Sequence, residues 1–194
     1  MFTFGIDIGS TSSKVAILKD GTELVAHYVV PLGTGTIGPK EAREYVFKET
    51  GLTQEDMVYT VVTGYGRMNC EYADEQISEL SCHAKGIHYL MPEIRTIVDI
   101  GGQDAKALKI SDKGQLLAFQ MNDKCAAGTG RFLDVMAKVL NVDINELGPL
   151  SEKSQHPVSI SNTCTVFAES EVISQLSSNV PIEDIAAGIH NSVA

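Results

Sequence analysis

Two short turns carry the residues best suited to chemistry. Asp7-Ile8-Gly9-Ser10-Thr11-Ser12-Ser13-Lys14 follows an apolar run that starts at Phe2, and Asp99-Ile100-Gly101-Gly102-Gln103-Asp104 follows another that starts at Thr96. Glycine lacks the Cβ that would hold an anion off the backbone, so the N–H groups of Gly9, Gly101 and Gly102 can converge on a phosphate. The hydroxyls of Ser10, Thr11, Ser12 and Ser13 add donors, and Lys14 adds charge. An aspartate closes each strand, and Asp7 and Asp99 suit Mg²⁺, which prefers hard oxygens and keeps much of its water shell. Neither turn is a Walker A loop or a G-x-G-x-x-G fingerprint. One such turn alone reads as a tight hairpin, whereas two at matching positions read as a phosphate clamp. Gln103 or Asp104 would orient an attacking water. Gln103 is preferred, because an amide both donates and accepts.

The second constellation is made of cysteines. Cys125 and Cys164 stand 39 residues apart (164 − 125), unlike the clustered spacing of ferredoxins or the paired C-x-x-C of zinc sites. Spacing alone leaves them as buried, inert thiols. Their settings differ from that, because each precedes a predicted helix and one is followed by Ala126-Ala127-Gly128-Thr129-Gly130. A helix N-terminus stabilises thiolate and anionic groups, and small neighbours leave room for an inorganic core. Cys70 and Cys82 read as structural. Cys82-His83 is a poor metal pair, because adjacent helix residues point in different directions. His156 reads as a solvated loop residue. Glu169 and Glu171 either tune the Cys164 surroundings or face solvent.

The elements that must position these groups repeat. Strands are predicted over 2–8, 14–18 and 22–30, with a hairpin signal at Asp20-Gly21. A glycine-rich loop over 33–39, a helix over 40–49, a strand over 59–63 and a helix over 78–89 follow. The pattern then restarts with strands over 96–100, 106–110 and 115–120. Asp7 and Asp99 are thus 92 residues apart (99 − 7), which reads as internal duplication. Two α/β domains are expected, 1–92 and 93–194. Helices over 130–140 and 166–176 carry apolar residues at helical spacing. A last helix over 185–194 has no terminator, so the chain reads as cut short in its second domain.

The 194 residues carry a formal net charge of −10, which disfavours nucleic acid and anionic membranes as partners. No apolar run approaches the ~20 residues a membrane span requires. The first residues lack the basic and long apolar regions of a signal peptide. A cytoplasmic protein is expected, with its four cysteines reduced.

The two glycine turns resemble the nucleotide-binding signatures of the actin, Hsp70 and sugar-kinase superfamily, which has a ribonuclease H-like fold. The likeness narrows at Asn122-Asp123-Lys124-Cys125-Ala126-Ala127-Gly128-Thr129-Gly130 and at Asn162-Thr163-Cys164-Thr165-Val166-Phe167-Ala168-Glu169. Both resemble the activator components of 2-hydroxyacyl-CoA dehydratases, in the family that includes the ATPase subunits of benzoyl-CoA reductase. Val62-Thr63-Gly64-Tyr65-Gly66-Arg67 and Ser78-Glu79-Leu80-Ser81-Cys82-His83-Ala84 extend it along the chain.

The resemblance implies an oxygen-sensitive homodimer with one [4Fe–4S] cluster on its two-fold axis, bound by two cysteines per subunit that match Cys125 and Cys164. It implies that ATP hydrolysis to ADP, with Mg²⁺, drives one electron into a 2-hydroxyacyl-CoA dehydratase, and that ferredoxin or flavodoxin is the donor. It also implies a further segment with a Gly-Gly adenosine-binding motif, which is absent up to Ala194. A benzoyl-CoA reductase subunit is the near alternative. A small-molecule kinase of the same fold, with Asp104 as base, and a nucleotide-gated interaction module are the more distant ones.

Overall fold

Alternation of apolar and polar residues sets the strands. Residues 1–193 are described by the computed structural model. In chain order they form β1 (Phe2–Ile8), β2 (Ser13–Lys19), β3 (Glu23–Val30), α1 (Gly38–Thr50), β4 (Met57–Thr63), β5 (Glu75–Gln76), α2 (Glu79–Leu90), β6 (Thr96–Ile100), β7 (Ala105–Ile110), β8 (Leu116–Asn122), α3 (Gly130–Leu140), α4 (Leu147–Ser151), α5 (Thr165–Ser177) and α6 (Ile182–Val193). The chain divides into two units, Met1–Ile97 with Leu108–Ala118, and Val98–Ala107 with Phe119–Ala194.

The first unit is built on a five-stranded sheet in the order β3-β2-β1-β4-β5. β1 and β2 pair antiparallel, as do β2 and β3, while β4 runs parallel to β1 and β5 parallel to β4. Period-2 alternation sends Phe4, Ile6 and Ile8 of β1 and Val15 and Ile17 of β2 to one face. There they meet Ala42 and Val46, one helical turn apart on α1. α1 begins at Gly38, two residues before its predicted start, because Pro39 is harmless in a first turn whose N–H groups have no helical partner. It stops at Gly51, whose left-handed backbone (φ 70°) closes the helix onto Phe47 O. α2 starts at Ser78, whose hydroxyl accepts the N–H of Ser81. Its Ala84 packs on Ile97, Leu108 and Ile110 in the same unit.

The second unit is mainly helical. Phe132, Met136 and Leu140 of α3, Ala168 and Val172 of α5, and Ile185 and Ile189 of α6 form one core with Leu147 of α4. The 3.6-residue spacing read for α3 matches its buried Phe132, Met136 and Leu140, whereas in α5 the spacing read through Phe167, Val172 and Ile173 buries Val172 alone of the three, since Phe167 and Ile173 are exposed. α6 begins at Ile182, earlier than predicted, and its expected last residue, Ala194, lies outside the described residues. β5 and α4 escaped the sequence reading because two and five residues are too short to show a period. The strands β6, β7 and β8 form a sheet in that order. Among the described residues no helix is long and apolar enough to cross a membrane.

Candidate functional site

In the first unit, the antiparallel register of β1 and β2 sets Asp7 opposite Lys14 and Ile8 opposite Ser13. Lys14 Nζ lies 2.9 Å from Asp7 Oδ2. The turn between them is closed by the Gly9 N–H, which donates to Ser12 O at 3.0 Å. Its outer side is held by two neighbouring loops. The Thr34 N–H donates to Gly9 O and the Gly66 N–H to Ile8 O, both at 2.8 Å. Ser13 is fully buried and its hydroxyl donates to Leu32 O at 2.7 Å, so Ser13 anchors the turn from behind. Ser10, Thr11 and Ser12 remain half-buried at the tip. Behind the aspartate, β4 is followed by Gly64 with φ 87°, where a Cβ would meet Asp7 Oδ1 and Ile8 O. The neighbouring Cys82 thiol is pushed above its ordinary range, chiefly by burial, so it is a poor nucleophile.

The second unit repeats this geometry. The Gly101 N–H donates to Asp104 O at 2.8 Å, 92 residues (101 − 9) after the Gly9 bond. Lys106 Nζ lies 2.7 Å from Asp104 Oδ1 and 3.4 Å from Asp99 Oδ2. Lys106 is buried at 5 % exposure, whereas Gln103 is exposed. The carbonyls of the turn are taken up by α3: the Gly130 N–H donates to Gly101 O at 3.0 Å, and the Arg131 N–H to Gly102 O at 2.9 Å. These are helix-terminal donors with no partner inside the helix.

The loop that feeds α3 carries Cys125. The Cys125 thiol donates to Thr163 O at 3.8 Å, so its sulfur sits against the residue preceding Cys164. In turn it accepts the Ala127 N–H at 3.4 Å. The loop is braced by the Thr129 hydroxyl on Ala126 O and by Asn122 Nδ2 on Cys125 O. Cys164 is the residue that opens α5, and its side chain makes no capping bond. Both cysteines are half-buried, and Val166 and Phe167, just beyond Cys164, are largely exposed. Glu171 accepts the Ser161 N–H at 2.7 Å and so fixes the loop leading to Cys164. Cys70 is buried, and all four cysteines are free thiols. Among the described residues no group of three or more His, Cys, Asp and Glu side chains converges as a metal site.

Residues 4–194 match the BadF/BadG/BcrA/BcrD ATPase family. The chain belongs to that family. It is 64 % identical to the 2-hydroxyisocaproyl-CoA dehydratase activator of Clostridioides difficile, over 100 % of this chain and 73 % of that one. It is 55 % identical to the (R)-2-hydroxyglutaryl-CoA dehydratase activating ATPase of Acidaminococcus fermentans, over 100 % of this chain and 75 % of the relative. The solved structure of the activator of the 2-hydroxyisocaproyl-CoA dehydratase from Clostridium difficile with bound ADPNP superposes with a TM-score of 0.96 at 64 % identity, covering 100 % of this chain and 72 % of that one. The α/β fold is that of the actin, Hsp70 and sugar-kinase-like ATPases.

For a member of the BadF/BadG/BcrA/BcrD ATPase family, the residue that sequence reasoning passed over is Lys106. The signal was present, because Lys106 stands 92 residues (106 − 14) after Lys14 in a chain already read as duplicated. Its place inside an apolar-patterned strand made it look like an ordinary strand residue. The seam between Gly101 and Gly130 was not readable, because it joins backbone groups and leaves no mark on residue type.

Proposed function

We propose that this chain is an ATP-driven one-electron activator of a 2-hydroxyacyl-CoA dehydratase. It works as a homodimer holding one [4Fe–4S] cluster through Cys125 and Cys164 of each subunit, with ferredoxin or flavodoxin as electron donor. The observation that supports this reading is the approach of Cys125 Sγ, at 3.8 Å, to the carbonyl of Thr163, the residue before Cys164. The donor set fits: two half-buried sulfurs, one receiving a backbone N–H, beside small residues and the N-terminus of a 13-residue helix. Once bound, the cluster supplies a store for one strongly reducing electron. The names of the relatives support a dehydratase as the protein activated.

The chain's own groups then have distinct tasks. Ser10, Thr11 and Gly102 donate to the phosphates of ATP, while Gly9 and Gly101, whose N–H groups close the turns on Ser12 O and Asp104 O, let the phosphates approach without a Cβ in the way. Asp7 and Asp99 present hard oxygens to Mg²⁺. Lys14 and Lys106 hold those aspartates in place and lower the charge repulsion against the phosphates. Asp104 is occupied by Lys106, so the exposed amide of Gln103 orients the hydrolytic water. Nucleotide-dependent movement of the second turn pulls on Gly130 and Arg131, and hence on the loop bearing Cys125.

The test is iron and acid-labile sulfide in anaerobically purified protein, with Cys125→Ser and Cys164→Ser alongside. About four irons per dimer, lost in either variant, is the expected result. Iron-free wild type under strict exclusion of oxygen overturns the electron-transfer reading.

A further inference from the structure

We propose that the first unit carries a second small-molecule site, separate from the phosphate turns, that takes a small organic dicarboxylate. A cavity of about 390 Å³ opens beside α1, lined by Ile8, Thr34, Lys40, Arg43, Asn69 and Tyr72. That volume suits a metabolite rather than a single ion.

The charge in it is positive and prearranged. Lys40 and Arg43 stand three residues apart on α1, which puts them on one face of its first turns. The Arg43 guanidinium lies 4.5 Å over the Tyr72 ring, so its plane is fixed before any ligand arrives. Arg43 is half-buried and has no carboxylate partner among the described residues. Lys40 is exposed, with Glu44 at 3.7 Å. A guanidinium held flat on a ring offers its edge to a planar acceptor, which selects carboxylate. The second cation one helical step away accommodates a second acid group. Ile8 and the Tyr72 ring supply an apolar wall for the carbon chain between them.

The cavity shares its wall with the first phosphate turn. Thr34 and Gly66, which line it, are the two residues whose N–H groups hold Gly9 O and Ile8 O. Gly66 has φ −89°, a backbone any residue adopts, so space alone demands glycine there. A Cβ would come within 2.5 Å of both Ile8 Cγ2 and Thr34 Oγ1. A ligand that shifts Thr34 therefore shifts the Gly9 carbonyl, and with it the affinity of the turn for phosphate.

Calorimetric titration of the nucleotide-free chain with malonate, succinate and glutarate tests the site. Inorganic phosphate serves as the contrast, and Arg43→Met and Lys40→Met as variants. The expected result is saturable binding of at least one diacid, weakened about tenfold or more by Arg43→Met and less by Lys40→Met. Both variants should keep the wild-type unfolding midpoint and basal ATP turnover. Lys40 is exposed, so its variant reads out even where Arg43→Met fails to fold. No heat from any diacid at millimolar concentration, phosphate binding as tightly as the diacids, or undiminished binding in both variants overturns the proposal. This arm needs no nucleotide and stands or falls apart from the ATPase reading. A change in ADP affinity with bound diacid tests the link to the turn and rests on that reading.

Discussion

Lys106 Nζ lies 2.7 Å from Asp104 Oδ1, deep in the second glycine turn. The same ammonium lies 3.4 Å from Asp99 Oδ2, so one buried cation serves two carboxylates that are each about a quarter exposed. The first turn has the simpler pair Lys14 and Asp7, at 2.9 Å. The second turn thus repeats the lysine–aspartate pair of the first and adds Asp104 to it.

Removing the cation should unbalance the turn. Lys106→Met leaves two carboxylates facing each other and should lower stability by about 2–3 kcal/mol, short of the fully buried limit because both carboxylates touch water. The double variant Lys106→Met/Asp104→Asn should recover much of that loss. Urea unfolding checks both, and a double variant no more stable than the single one would show that charge balance is not the cause.

Gly64 and Gly51 both have positive φ, 87° and 70°, but different surroundings. A methyl group at Gly51 meets nothing within 4 Å, so Gly51→Ala should cost about 1 kcal/mol of stability and leave nucleotide binding unchanged. Gly64→Ala must displace Asp7 and the Ile8 carbonyl. It should weaken Mg²⁺-dependent ATP binding by more than its stability loss explains. Titration with the ATP analogue ADPNP, with and without Mg²⁺, separates the two effects.

Asp184 is 8 % exposed and accepts hydrogen bonds from the Ser154 hydroxyl at 2.7 Å, the His156 N–H at 3.0 Å and the Gln155 N–H at 3.1 Å. The Ser154 bond first, then the His156 N–H, hold its pKa below the usual carboxylate value. A folded-state value below the unfolded one, about 3.9, means the stabilisation is complete above that pH and is lost as pH falls through the folded value. Asp184→Asn should therefore melt lower than wild type at neutral pH. The gap should narrow on acidification below about pH 4. Thermal melts across that range give the answer, and a constant gap would contradict it.

Phe132 and Phe167 provide a contrast within one unit. Phe132 is 1 % exposed in the core shared by α3, α5 and α6, so Phe132→Ala should cost about 3–5 kcal/mol. Phe167 is 63 % exposed beside Cys164, so Phe167→Ser should change the unfolding free energy by no more than about 0.5 kcal/mol. If that face pairs with a second subunit, Phe167→Ser should still weaken self-association and iron retention. Sedimentation and iron content, read against chemical unfolding, distinguish the two effects.

The strands and helices that bear the site were legible because each writes a period into residue type. Phe4, Ile6 and Ile8 alternate, and Phe132, Met136 and Leu140 recur at four-residue steps. The glycine turns were legible for a related reason, since glycine is the residue that tolerates the close backbone approaches a tight turn makes. Their 92-residue recurrence marked both turns as one pattern. What required tertiary structure is whatever passes through space between groups that carry no signature. Ser13 faces inward to Leu32 O because the β1–β2 register turns it there, although its type suits a phosphate equally well. Lys106 became a bridge only when the strand placed it between Asp99 and Asp104. Residue type marked Cys125 and Cys164 as candidates, but the approach of Cys125 Sγ to Thr163 O, next to Cys164, was decided by the tertiary packing that joins α3 and α5 in one core. Burial energy is set by the whole core, and no local run of residues encodes it.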